Sequence, residues 1–192
     1  MTNPTSILLV GVGGQGTILM SRALTAGLVS AGFDVKMSEV HGMAQRGGSV
    51  STQVRYGEKV YSPIIGHGEA DVLVAFEKME AVRYAAFLRP GGTAVINDCE
   101  ILPLPVATGA AEYPAHPIEA MQNAFRTIVI PASDIAERLG NPKCTNIVLL
   151  GALVGAFGLG GIDWKAALAE TIPPKVLEVN LAAFDAGLRY GG

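Results

Sequence analysis

Short apolar runs alternate along the chain with longer stretches of helical periodicity. Residues 7–10 are consecutively apolar, and residues 70–76 are apolar apart from Asp71, which is typical of strands buried on both faces of a parallel sheet. Residues 17–31 between them predict a helix that ends at Gly32. Further strands are predicted at residues 34–38, 93–97 and 127–131. This alternation predicts a three-layer, doubly wound α/β fold with a mostly parallel, Rossmann-like sheet.

Residues 49–56 follow a different pattern, because apolar and polar positions alternate with a period of two. With a turn at residues 57–58 and a return strand at 59–61, they predict an antiparallel β-hairpin inserted into the sheet. Helices are expected at residues 77–88 and at 133–139, the second capped by Ser133. We see no linker that would divide the chain, so the prediction is one domain over residues 1–192.

The last third predicts C-terminal helices, including one at 175–188 and one that begins at Trp164 after an Asp163 cap. Residues 146–157 are apolar on every side, but a membrane span needs about 20 such residues. We therefore expect this helix to be buried in protein. Gly151 and Gly155 form a smooth stripe along it that another backbone could approach closely. The apolar helix and the sparse surface charge also predict oligomerisation.

Composition narrows the class of protein. Only 16% of the residues are charged and the formal net charge is −3, so electrostatics gives no reason to expect nucleic-acid or membrane binding. The first residues lack the basic and then apolar order of a signal peptide, and the expected location is the cytoplasm. Cys99 and Cys144 are the only cysteines and stand 45 positions apart, too few thiolates for an iron–sulfur cluster and no basis for a zinc site. No metal site is therefore predicted.

A glycine-rich loop follows the first strand and opens the first helix. It reads G-x-G-x-x-G, and its candidate cofactor-binding residues are Gly11, Gly13, Gly14, Gln15 and Gly16. Glycines there permit a tight turn, and free N–H groups at the helix start attract phosphate. Glu39 stands at the end of the second strand, about where a carboxylate would bind the ribose of NAD or FAD. A dinucleotide site, another phosphate site and a turn without ligand all remain open on these features.

A second loop concentrates polar chemistry between the second strand and the alternating segment. Its sequence is SEVHGMAQRGGSV, residues 38–50. The candidate site or interface residues are Glu39, His41, Gln45, Arg46, Gly47 and Gly48. A guanidinium beside two glycines suits bidentate recognition of phosphate or carboxylate. A loop that docks another chain is the alternative, and His41 lacks the assigned partners that a general base requires.

The two loops together resemble the gamma-type domain of the pyruvate/2-ketoacid ferredoxin oxidoreductase family. Residues 60–63, 68–73, 146–153 and 173–176 match in order and spacing, and the likeness is greatest to the small subunits of indolepyruvate-oxidising members. The resemblance implies a subunit of an enzyme for the CoA-dependent oxidative decarboxylation of a 2-oxoacid, with electrons passing to ferredoxin. An arylpyruvate is the preferred substrate.

The resemblance also implies how the cofactors are divided. Thiamine diphosphate, Mg²⁺ and [4Fe–4S] clusters are expected in a large alpha subunit, since this chain carries neither a cluster ligand set nor a thiamine motif. CoA is a candidate ligand of the glycine loop. We expect a hetero-oligomer that is inactive without its large subunit, with a homodimer as an alternative state of the chain alone. The competing functions are an independent NAD(P)-dependent oxidoreductase and a non-catalytic scaffold subunit.

Overall fold

A mixed, mostly parallel sheet forms the centre of the molecule. The computed structural model describes residues 3–41 and 47–191, with the backbone alone described at His41. The strands are Thr5–Val12 (β1), Asp34–His41 (β2), Ser49–Gly57 (β3), Ala70–Ala75 (β4), Leu88–Asn97 (β5) and Arg126–Ile130 (β6). In the described residues they lie in the order β2-β3-β1-β4-β5-β6. β1, β4, β5 and β6 are parallel neighbours, whereas β3 is antiparallel to both β1 and β2.

Helices cover both faces of this sheet. They are Thr17–Ser30 (α1), Lys78–Arg83 (α2), Leu104–Ala107 (α3), Pro117–Ala124 (α4), Ala132–Arg138 (α5), Thr145–Ala156 (α6), Trp164–Thr171 (α7) and Pro174–Gly191 (α8). Alternate residues of β1 point to opposite cores. Ile7 and Leu9 pack in one core with α1 and α5 to α8. Leu8 and Val10 pack in the other core with α2 and α4. The three-layer, mostly parallel α/β fold expected from the sequence is confirmed.

The expected hairpin partner of β3 is wrong. Residues 59–61 form no strand, because β3 is already hydrogen-bonded on both edges, to β1 and to β2. Val60 is instead buried, and its N–H donates to Asp34 Oδ2 at 3.0 Å. The period-two pattern identified a strand but could not identify its neighbours.

Two helix predictions also need correction. The helix expected at residues 77–88 ends at Arg83, and a 3-10 turn at Ala85–Phe87 leads directly into β5. Ser133 does not cap α5, which begins one residue earlier. Its hydroxyl accepts a hydrogen bond from Asn97 Nδ2 at 3.0 Å. By contrast Asp163 caps α7 as expected, its Oδ1 accepting from Ala166 N–H at 3.1 Å.

α6 and α8 pack closely along glycines on both helices. A Cβ added at Gly151 would lie 2.1 Å from Phe184 O, and one added at Gly187 would lie 1.9 Å from Val148 O. The expected close approach at Gly151 is therefore made by another helix of the same chain. Since α6 is covered internally, its apolar character gives no support to the predicted oligomerisation. In the described part of the chain, none of the helices combines the length and apolarity that a bilayer crossing requires.

Candidate functional site

The glycine loop is braced by the side chain of Gln15. Gln15 Oε1 accepts from Val12 N–H at 2.7 Å, and Gln15 Nε2 donates to Phe76 O at 3.0 Å. The side chain thus ties the carboxyl end of β1 to the residue that follows β4. Gly11 has no room for a side chain, since a Cβ there would lie 2.8 Å from Gln15 Oε1 and 2.9 Å from Phe76 Cβ. Gln15 and Gly11 therefore shape the loop through contacts within the protein.

Gly14 and Gly16 adopt backbone conformations that favour glycine. Their φ angles are 107° and 85°, in the left-handed region that other L-residues rarely occupy. Gly16 precedes the first residue of α1, Thr17, and no side-chain group caps this helix. The first-turn N–H groups of a helix have no intrahelical acceptor. They therefore offer donors to a ligand at this end of α1.

A cavity of about 520 Å³ opens in front of this loop. It lies where β1, β5 and β6 end, at the carboxyl edge of the parallel strands, which is where open α/β sheets bind ligands. The residues around it come from the glycine loop and from the segments that follow β5 and β6. They are Gly14, Gln15, Gly16, Leu19, Cys99, Ile101, Ser133, Pro142, Lys143, Thr145 and Asn146.

The electrostatics of the cavity favour an anion. The N-termini of α1 and α6 both open onto it, and each carries partial positive charge. Lys143 adds an exposed ammonium group. None of the described residues that line the cavity is acidic. This combination suits a phosphate or diphosphate more than a neutral or cationic ligand.

The second polar loop reaches the first through its described end. Gly13 N–H donates to Gly48 O at 2.8 Å, and Gly47 N–H donates to Gly13 O at 3.3 Å. The Ser49 hydroxyl then donates to the buried carboxylate of Glu80. Two motifs separated in sequence therefore meet at one edge of the sheet. Gln45, Arg46 and the His41 side chain lie outside the described residues.

Glu39 does not occupy the position expected for a ribose-binding carboxylate. It lies on β2, opposite Thr52 of β3. Since β3 separates β2 from β1, Glu39 belongs to a strand two places from the one that carries the glycine loop, a separation of about 10 Å between strand axes. In a dinucleotide-binding fold these two strands are adjacent. The sheet order thus weakens the NAD(P) alternative.

Cys99 lies just after β5, and Cys144 directly precedes α6. Burial raises the pKa of the Cys99 thiol, which lines the cavity, and burial also raises the pKa of the Cys144 thiol. A raised pKa keeps each thiol protonated at neutral pH, so neither cysteine is an activated nucleophile. Among the described side chains, those of residues 3–40 and 47–191, no three from His, Cys, Asp or Glu cluster as they would around a metal ion.

Sequence reasoning identified one wall of the cavity and missed the other. Neither Lys143 nor Asn146 belongs to a glycine motif, and Ser133 was interpreted as a helix cap. For Ser133 the available signal was position, because it closely follows β6 and parallel strands bring their carboxyl ends to the same edge. No pattern between residues 142 and 146 marks them as ligand-binding.

Comparison with known proteins agrees with the resemblance drawn from the sequence. A family model, pyruvate ferredoxin/flavodoxin oxidoreductase, matches residues 6–190. The indolepyruvate oxidoreductase subunit IorB of Archaeoglobus fulgidus is 40% identical over 187 residues, which cover 95% of this chain and 92% of the relative. The same subunit of Pyrococcus horikoshii is 38% identical over 192 residues, which cover 96% of this chain and 94% of the relative.

A solved structure supports the fold. The 2-oxoglutarate:ferredoxin oxidoreductase from Magnetococcus marinus, with 2-oxoglutarate, coenzyme A and succinyl-CoA bound, aligns with a TM-score of 0.76 at 24% identity. The alignment covers 100% of this chain and 31% of that chain. The resemblance is confirmed, and the chain belongs to the pyruvate ferredoxin/flavodoxin oxidoreductase family.

Proposed function

We propose that the chain is the small subunit of an indolepyruvate:ferredoxin oxidoreductase and that its glycine-loop cavity binds the diphosphate of CoA. The near full-length relatives are both named as indolepyruvate oxidoreductase subunits. The Magnetococcus marinus relative of the same fold is described with CoA bound. These findings support the enzyme class, the arylpyruvate substrate and the ligand.

One observation carries the ligand proposal: two helix N-termini and a lysine face one cavity that has no acidic lining among its described residues. Phosphate oxygens accept hydrogen bonds from free backbone N–H groups and gain from the helix dipoles. Gly14 is exposed, and a Cβ built there would meet nothing within 4 Å. The backbone at Gly14 is therefore open to close approach by a diphosphate.

The contribution of this chain to the reaction is binding and orientation. The glycine loop would hold the CoA diphosphate, and Lys143 would offset part of its charge. The chain has too few cysteines for a [4Fe–4S] cluster and no Gly-Asp-Gly segment for thiamine diphosphate with Mg²⁺. We place those cofactors in a large partner subunit, which would carry out decarboxylation and electron transfer to ferredoxin.

Gly14→Ala should weaken CoA binding to the assembled complex by at least about tenfold, which corresponds to 1.4 kcal/mol. The added methyl group would stand where the diphosphate approaches the backbone. Gly32→Ala is the matched control, since Gly32 also has a positive φ of 88° and open space around its Cβ, but follows the other end of α1. Both substitutions carry a similar left-handed strain of about 1–2 kcal/mol.

Isothermal calorimetry with CoA and with NAD is the measurement. The proposal predicts tighter binding of CoA than of NAD, and a loss of CoA affinity in Gly14→Ala but not in Gly32→Ala. Equal CoA affinity in the two variants would remove the loop from the site. Tighter binding of NAD would favour the dinucleotide alternative.

A further inference from the structure

Asn146 lines the cavity, and its side chain is a buried amide with one unsatisfied end. It is the second residue of α6 and is 1% exposed. Its Nδ2 donates to Gly16 O at 3.1 Å. Its Oδ1 is buried and has no hydrogen-bond partner among the described residues. Because Gly16 O can only accept, the group that faces it must be the NH₂, which fixes the orientation of the amide.

This arrangement is unfavourable for the protein without ligand. A buried acceptor without a donor loses its hydration and gains nothing in return. The Nδ2 contact is not needed to satisfy Gly16 O, since Met20 N–H also donates to that oxygen at 3.2 Å. Leucine, which has the same branched heavy-atom skeleton, would leave no orphaned oxygen at this position. The residue is therefore explained poorly by folding and well by a ligand that brings a donor.

We propose that Asn146 Oδ1 accepts a hydrogen bond from an O–H or N–H group of the ligand close to its diphosphate. This inference rests on the proposed function, and it assigns Asn146 as a specificity-determining residue of the same cavity. An ionised phosphate has no proton to donate, so the phosphate itself cannot satisfy this oxygen. The helix N-termini bind the anion, and Asn146 accepts a hydrogen bond from the organic group attached to it.

CoA carries such donors on both sides of its diphosphate. The nucleotide half offers a ribose hydroxyl, and the pantetheine half offers a hydroxyl and amide N–H groups. Both halves therefore offer the same kind of group, a hydrogen-bond donor within a few covalent bonds of a phosphate ester. The symmetric dimethyl ester of diphosphate, like the diphosphate of CoA, is ionised on both phosphates and carries neither a P–OH nor an organic donor, so its binding should not depend on Asn146.

The test compares Asn146→Leu with the wild type in the assembled complex. CoA affinity should fall about tenfold, as expected for one lost hydrogen bond that leaves a partner unpaired. The affinity for the dimethyl ester of diphosphate should stay within about twofold, which is below about 0.5 kcal/mol. The thermal midpoint of the chain should stay the same or rise, because the orphaned acceptor is removed while Gly16 O keeps its bond to Met20.

A separate titration with ADP and with 4′-phosphopantetheine identifies the half of CoA that supplies the donor.

Asn180→Leu is the matched control. Asn180 is also buried, at 5% exposure, and its Nδ2 donates to Val176 O at 2.7 Å within α8. It does not line the cavity. The control should bind CoA like the wild type, with a thermal midpoint that is unchanged or lower. Asn146→Ala, which removes the same oxygen without adding bulk, should reproduce the loss of CoA affinity.

The possible results distinguish the role of Asn146 from the proposed binding of CoA. Wild-type CoA affinity in a folded Asn146→Leu or Asn146→Ala variant would overturn this inference and leave the proposed function standing. A parallel fall in thermal midpoint and in the affinities for CoA and for the dimethyl ester of diphosphate would mean a structural role and would also overturn it. No CoA binding by the wild-type complex would refute the proposed ligand, and this inference with it.

Discussion

Arg46→Ala is expected to lower turnover of the assembled enzyme by roughly 10- to 150-fold, the equivalent of about 1.5–3 kcal/mol for a lost charge-assisted contact. Arg46 stands between Gln45 and two glycines in the sequence, in a segment too rich in glycine to serve packing. Its successors Gly47 and Gly48 are hydrogen-bonded to Gly13 of the glycine loop. The chain that flanks Arg46 is thus tied to the proposed CoA site.

Steady-state kinetics at saturating and limiting CoA measure this effect. A loss seen only as a raised KM for CoA assigns Arg46 to the CoA site, whereas a loss of complex assembly assigns it to the subunit interface. Arg126→Ala is the control, because Arg126 is exposed at the amino end of β6, opposite the cavity. An exposed ion pair is worth about 0–1 kcal/mol, so a fall below about fivefold in Arg46→Ala would refute the functional role.

Gly187→Ala is expected to destabilise the chain by about 3 kcal/mol. A Cβ at this position would lie 1.9 Å from Val148 O and 3.1 Å from Ala152 N, both backbone atoms of α6. The two helices would have to separate along a contact buried in the main core. The higher helix propensity of alanine, about 1 kcal/mol, does not offset that repacking.

Urea unfolding of the purified chain measures the free energy of unfolding. Gly160→Ala is the control, since a Cβ there meets nothing within 4 Å, and it should change the free energy of unfolding by less than about 0.5 kcal/mol. A Gly187→Ala chain as stable as the control would contradict the close α6–α8 packing described above.

Local pattern was sufficient for most elements of the fold. The apolar run of β4 and the glycine-closed periodicity of α1 each identify an element, because burial on both faces of a sheet and on one face of a helix leaves different spacings. Gly151 and Gly155 also indicated a close backbone approach. The partner in that approach is 33 or more residues away in sequence, at Phe184 and Leu188, and no local pattern identifies it.

The position of β3 could not be obtained in the same way. Its alternation is compatible with a hairpin at residues 57–61 and equally with insertion between β1 and β2. In the structure β3 is inserted between β1 and β2, and its Val54 and Tyr56 pack in the core that also contains Ile7 and Leu9. This choice also separates Glu39 from the glycine loop, so one long-range pairing decides both the topology and the fate of a candidate site residue.

The site shows the same division between local and long-range information. The glycine loop can be identified from the sequence, since tight turns and positive φ angles favour that residue type. Asn146, by contrast, is a single polar residue at the start of an apolar helix, and its sequence context indicates only a packing residue. Its role is inferred from a contact with Gly16 across 130 residues and from the unpaired oxygen of a side chain that lines the cavity. Only the folded chain brings these facts together.

Reconstitution of the chain with its large thiamine-diphosphate and iron–sulfur subunit tests the central claim most directly. Purified alone, the chain should lack iron–sulfur absorbance and should not oxidise indolepyruvate. The reconstituted complex should reduce ferredoxin or a low-potential dye and form the acyl-CoA, with turnover dependent on both indolepyruvate and CoA. Hydride transfer to NAD by the chain alone, or full activity of the large subunit without this chain, would contradict the account.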